Sequence, residues 1–207
     1  MVSFYHPDYL IGILDDGHGM SYKELLEAMR YASKDPRSPR NPSDLGRFGL
    51  GMKLASLSQC RKLTVVSRKN GKTCAGIWDQ DHIDKVNEWD LLIPENADSV
   101  PFVEKLGGSG TLVVWENLTN LERSGAQNIT QNYFDEALAE ARVHLELVFH
   151  RFLSGESGLK KCQILVNNKP LEPFDPFNRN HPATQASGVD RFSNEVSFQA
   201  FTLPHHS

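Results

Sequence analysis

The chain has 207 residues, with 22 Lys and Arg against 26 Asp and Glu and a formal net charge of −4. That length buries a sizeable core and fits one domain plus the start of another. The balanced charge argues against a global nucleic-acid or membrane field and leaves only a local basic patch open. In chain order, Leu10-Ile11-Gly12-Ile13-Leu14 reads as a buried strand that runs into Asp15-Asp16-Gly17-His18-Gly19-Met20. A carboxylate at a strand end followed by G-x-G can accept a ligand hydrogen bond while the turn admits the ligand, although Asp-Asp-Gly is also an ordinary turn. Ser21 and Glu24 form a capping box, with Met20 and Leu25 as its hydrophobic staple. Leu25, Met29 and Ala32 at helical spacing predict a helix from about Tyr22 to Ser33.

Lys34 to Leu45 is a polar loop with prolines at 36, 39 and 42. Their spacing leaves a polyproline ligand open beside the plainer reading of a mobile loop. It leads into Gly46-Arg47-Phe48-Gly49-Leu50-Gly51-Met52-Lys53, in which glycines recur as G-x-x-G-x-G. Backbone N–H groups at a glycine turn feeding a helix form a phosphate cradle, and Lys53 would add a point charge. The spacing is the reverse of the dinucleotide fingerprint, and Met52 and Leu54 break the P-loop pattern. Taken alone, the run is equally well a flexible loop. A helix then continues to about Gln59, with Leu50, Leu54 and Leu57 on one face and Gly51 and Ala55 set to pack against a sheet.

Lys62 to Lys69 and Thr73 to Asp79 predict a hairpin turned at Asn70-Gly71, the preferred pair for a type I′ connection. A weaker strand is expected from Glu88 to Ile93, and a clear one at Thr111-Leu112-Val113-Val114-Trp115. Phe134, Leu138, Ala141, Leu145, Val148 and Phe152 form one apolar stripe, predicting a helix from Gln131 to Leu153 that covers a sheet face. Cys162 to Val166 reads as a short strand turned at Asn167-Asn168. After Pro173 the chain reads as an irregular linker. Val196, Phe198 and Ala200 then alternate like a strand, either opening a second domain or joining the main sheet.

Cys60, Cys74 and Cys162, odd in number and without C-x-x-C spacing, read as reduced, buried thiols of a cytoplasmic protein. Neither a signal peptide nor a long apolar run is visible, so no membrane partner is expected. The Asn-x-Thr matches at Asn117 and Asn128 are then coincidental. None of the eight histidines has ligand spacing apart from the adjacent terminal pair His205-His206, so no metal site is assigned. His144 and His150 are expected to be solvated positions on the long helix.

The pair D-x-G-x-G-M at Asp15 to Met20 and G-R-F-G-L-G-M-K at Gly46 to Lys53, in this order, resembles the GHKL or Bergerat-fold ATPase superfamily. That superfamily includes gyrase B, the ninety-kilodalton heat-shock chaperone, histidine kinases and MutL, and the flavour here is MORC-like. The resemblance covers Leu10 to Trp115. It implies an α+β fold: a two-layer sandwich whose mixed, mostly antiparallel sheet carries helices on one face. The ATP-binding domain would be residues 1–172, lacking its first helix, and 173–207 a linker and the start of a following domain.

The resemblance further implies that Asp15 accepts the adenine amino group, with Gly17, Gly19 and Met20 around the ring. Gly46, Arg47, Phe48, Gly49, Leu50, Gly51, Met52 and Lys53 would bind the phosphates beneath an ATP lid formed by Lys34 to Leu45. Gly110-Thr111 resembles the last nucleotide motif, in which a Thr hydroxyl joins the adenine-binding Asp through water, although Thr111 is also an ordinary strand former. The family's helix bearing a catalytic Glu and a Mg²⁺-binding Asn has no match before Leu10, so no catalytic residue is assigned. Mg²⁺ is expected only with that helix intact. Expected partners are ATP or ADP and, for an intact protein, a second copy. The alternative is a degenerate scaffold that has lost nucleotide binding and hydrolysis.

Overall fold

The structure, a computed structural model, describes residues 9–30, 51–119, 131–193 and 196–204. The chain packs as two compact units, Met1–Phe134 with Leu165–Lys169, and Asp135–Ile164 with Pro170–Ser207.

The first unit is built on a four-stranded antiparallel sheet. Its strands are β1 (Ile11–Asp15), β2 (Cys60–Lys69), β3 (Lys72–Asp79) and β4 (Gly110–Leu118), in spatial order β1-β4-β2-β3. β2 and β3 form the expected hairpin, and Asn70 (φ 52) and Gly71 (φ 71) supply the two left-handed residues that a type I′ turn demands. β2 is central and covered on both faces, so Val65 and Val66 are both fully buried although they point to opposite sides.

One face carries the helices α1 (Tyr22–Met29), α2 (Gly51–Leu57) and α3 (Gln80–Val86). Leu25 and Met29 of α1 join Leu63, Val65 and Trp78 of the sheet in one core, with Met52, Leu57 and Ile83 packed against it. Each fully buried side chain of this size contributes roughly 1.5–3 kcal/mol relative to exposure. The opposite face is covered by a segment with short 3-10 turns at Ala97–Ser99 and Val103–Lys105. It brings Val100, Phe102, Val103 and Leu106 onto Val66, Leu112 and Val114. The sequence pattern gave no sign of this second cover.

The capping box at Ser21 and Glu24 is present, but α1 ends at Met29 and not at Ser33. Arg30 is already extended (φ −68, ψ 140), and two side chains take the carbonyls released there. Lys53 Nζ donates to Ala28 O at 2.6 Å and Trp78 Nε1 to Met29 O at 3.0 Å. α2 also turns differently from its apolar pattern. Leu54 is 53% exposed and Gly51 and Ala55 are exposed, while Lys53 and Ser56 are buried. Hydrogen bonds make those polar positions tolerable: Ser56 Oγ accepts from Trp115 Nε1 at 2.9 Å. The strand expected at 88–93 is reduced to one bridge, Ile77 with Leu92, beyond which Pro94 has no N–H to extend a ladder.

The first turn of α4 (Gln131–Val148) carries Phe134, buried and stacked on Tyr9 at 5.2 Å. The long helix stops at Val148 because Phe149 leaves helical backbone (φ −99, ψ 10), and α5 (His150–Ser154) follows. Only Phe134 of the predicted stripe is fully buried; Ala141 and Val148 are exposed. His150 is half-buried and not solvated, its Nδ1 donating to Leu147 O at 2.6 Å.

Strand β5 (Leu165–Val166) and β6 (Lys169–Pro170) flank the turn at Asn167 and Asn168, both left-handed. In the second unit, Arg142 donates to Pro170 O and pairs with Glu146, whose carboxylate accepts from Glu172 N. Residues Ser197–Phe198 and Phe201–Thr202 pair with Asp190–Arg191 and Gln185–Ala186, two-residue ribbons and not the main sheet.

Candidate functional site

β1 delivers Asp15 at its last residue, directly opposite Thr111 of β4. Thr111 is in turn opposite Ser67 of β2, and Ser67 opposite Cys74 of β3. Directly opposed residues of antiparallel strands share a face, so Asp15, Thr111, Ser67 and Cys74 form one polar row across the sheet. They share the phase of Leu63 and Val65, which places the row on the helix-bearing face. Apolar packing occupies that face elsewhere, and the row is where it gives way to hydrogen-bonding groups.

The segment 16–20 crosses this row. Met20 donates its N–H to Ser67 Oγ at 2.7 Å, and its carbonyl lies 3.6 Å from Cys74 Sγ. Asp15 Oδ1 accepts from Gly17 N at 2.8 Å. A Cβ at Gly17 would lie 2.7 Å from that carboxylate oxygen. Gly19 is left-handed (φ +69), and a Cβ there would lie 1.9 Å from Arg68 O, so only glycine permits this backbone approach. At Gly110 (φ +136) a Cβ would lie 2.2 Å from Asp15 O.

Ser67 is fully buried and was not singled out by the sequence pattern; its one sign there is a hydroxyl in the phase of Leu63 and Val65. It donates to Gly110 O at 3.0 Å and lies 3.1 Å from Thr111 Oγ1. Arg68 was likewise missed. Its guanidinium donates to Leu106 O at 2.6 Å, Gly107 O at 3.0 Å and Thr73 Oγ1 at 3.0 Å, pinning the glycine run that leads to Thr111.

Of the residues expected at the site, Asp15, Gly17, Gly19, Met20 and Thr111 are thus brought together. Gly46, Arg47, Phe48, Gly49 and Leu50 lie outside the described residues, as does the lid segment Lys34 to Leu45. Gly51 and Met52 open α2. Lys53 is 1% exposed and turned inward to Ala28 O, where burial lowers its pKa. Burial also pushes the Cys60 thiol up to about 12, and raises that of Cys74. Cys60 is buried as expected, whereas Cys74 and Cys162 are only half-buried. Among the described residues, no group of three or more His, Cys, Asp and Glu could hold a metal ion, and no helix is long and apolar enough to cross a membrane.

The family model described as histidine kinase-, DNA gyrase B- and HSP90-like ATPase matches residues 2–109. The chain belongs to this GHKL-type ATPase family. Its α+β architecture, with an antiparallel sheet and helices on one face, is the one the family resemblance implies. No curated protein matches the chain. Toward the adenine base that the family resemblance implies, Asp15 and Thr111 offer oxygen acceptors on adjacent strands.

Proposed function

We propose that this GHKL-type domain binds ATP or ADP, with Asp15 accepting a hydrogen bond from the purine amino group. Gly17, Gly19 and Met20 border the ring, and Thr111 joins Asp15 at the base. Gly46, Gly49 and Gly51 offer backbone N–H groups to the phosphates, as a glycine turn entering a helix does. Arg47, Phe48, Leu50 and Met52 complete the same stretch of sequence. Lys53 reaches a phosphate only by leaving the Ala28 carbonyl.

One observation carries this reading: the carboxylate ending β1 and the Thr111 hydroxyl are cross-strand neighbours beneath a glycine turn that admits no side chain. Bound ATP would supply the phosphoryl group. The chain's own part is to orient it and hold its charge. Residues 1–9 contain neither Glu nor Asn, so we propose that this chain on its own turns ATP over slowly or not at all. Mg²⁺ is expected to bind with the nucleotide only when the family's Asn is supplied.

Calorimetric titration tests the assignment. Asp15→Asn is expected to weaken ATP binding by about 1–3 kcal/mol, the worth of a charged hydrogen bond; equal affinity in the variant removes Asp15 from the site. The inward Lys53 favours a second reading, a scaffold that no longer binds nucleotide. A melting temperature unmoved by saturating ATP or ADP, with and without Mg²⁺, selects that reading, because a ligand stabilises the folded state according to its affinity.

A further inference from the structure

We infer that Ser67 is a positioning residue that fixes the direction of the Thr111 hydroxyl and thereby selects a 6-amino over a 6-oxo purine. The inference rests on the nucleotide reading above and adds to it a residue and a specificity.

It follows from counting protons. A serine hydroxyl has one hydrogen to donate and two lone pairs to accept with. Ser67 Oγ has three partners: Met20 N at 2.7 Å, Gly110 O at 3.0 Å and Thr111 Oγ1 at 3.1 Å. The Met20 amide can only donate and the Gly110 carbonyl can only accept. The single Ser67 proton is therefore committed to Gly110 O, and one lone pair to Met20 N–H. The remaining contact forms only if Thr111 donates. Complete burial of Ser67 keeps water from offering an alternative partner.

With its proton directed at Ser67, Thr111 presents lone pairs alone. Its cross-strand neighbour Asp15, as a carboxylate, also presents only acceptors. An amino group satisfies such a pair of acceptors. A carbonyl oxygen in its place sets lone pairs against lone pairs, and a site built to bond one group rejects the analogue lacking it. Freed from Ser67, the Thr111 hydroxyl can rotate and donate to a 6-oxo group. The discrimination should then fall.

The test measures the ratio of affinities for ATP and inosine triphosphate, which differ in a 6-amino against a 6-oxo group and, with it, in N1, an acceptor in adenine and an N–H donor in inosine. The wild-type chain is expected to prefer ATP by tenfold or more. Ser67→Ala and Ser67→Cys should reduce that ratio by roughly three- to tenfold. In a Thr111→Val background the same Ser67 changes should leave the ratio unmoved, because Ser67 acts through that hydroxyl. A purely structural role for Ser67 would lower both affinities in step, and a constant ratio in folded Ser67 variants overturns the inference. Should neither Ser67 variant fold, Thr111→Val alone decides, since an unchanged ratio there also overturns it. A wild-type chain that binds neither triphosphate rejects the nucleotide reading itself, and this inference with it. One that binds ATP with a ratio indifferent to Ser67 rejects this inference only.

Discussion

Lys53 Nζ donates to the carbonyl oxygen of Ala28 at 2.6 Å, so the first turn of α2 closes the last turn of α1. The side chain is among the most buried in the first unit although its sequence context suggested a phosphate ligand. A lysine held this way supports the fold through its methylene stem as well as its donor. Lys53→Ala is expected to cost about 2–4 kcal/mol, from the space left and the carbonyl deprived of its donor. Lys53→Met refills the space and should cost about 1–2 kcal/mol. Urea unfolding measures both, and an alanine variant as stable as the wild type would contradict the buried position.

Substitutions at Gly17 and Gly19 are expected to separate nucleotide binding from folding. A methyl at residue 17 meets the end of the Asp15 side chain, which can swing away. Gly17→Ala should therefore change stability by less than about 1 kcal/mol yet weaken ATP binding roughly five- to thirtyfold by displacing the carboxylate. At residue 19 the obstacle is the Arg68 carbonyl, which is backbone, and φ is +69. Gly19→Ala is expected to cost about 3 kcal/mol or more. Thermal melts and calorimetry on both variants would expose a reversal of this order.

Arg68 holds the approach to Thr111 through a fork that lysine cannot reproduce. Arg68→Lys should cost about 1–2 kcal/mol and lower nucleotide affinity, since two carbonyls lose well-directed donors. The Asp98 contact, at 3.6 Å with an exposed carboxylate, contributes little, so Asp98→Ala should be near neutral. Equal losses in the two variants would show that charge, not the fork, secures the loop.

Local rules carried the sequence reading a long way. The capping box at Ser21, the Asn70-Gly71 hairpin and the β4 run were legible because each depends on neighbours in sequence. So was the tight turn that carries Asp15, Gly17 and Gly19, whose pattern sits within a few residues. Ser67 and Arg68 were not, because their roles exist only across strands: Ser67 meets Met20, Gly110 and Thr111, all distant in the chain. The inward face of α2 was misjudged for the same reason. Apolar periodicity favoured Leu54, whereas hydrogen bonds from Trp115 and to Ala28 decided for Ser56 and Lys53. The 97–106 cover has no periodicity to read, and its burial follows from 3-10 turns that present single apolar residues.

The entry to α1 gives a pH dependence whose sign is fixed. Glu24 is held down to about 2 from 4.5, first by the Lys69 ammonium at 2.8 Å and then by Ser21. Its folded pKa lies below its unfolded one, so the folded state prefers the carboxylate and gains from it above about pH 4.5. As pH falls from 4.5 toward 2 that gain is lost. Glu24→Gln cannot ionise, so the gap in melting temperature between wild type and variant should close over the same window. Added salt should shrink the gap at neutral pH, because the pair with Lys69 is partly exposed. A gap that stays constant through the acid range would remove Glu24 from the charge-dependent stability of the helix and leave only its neutral capping role.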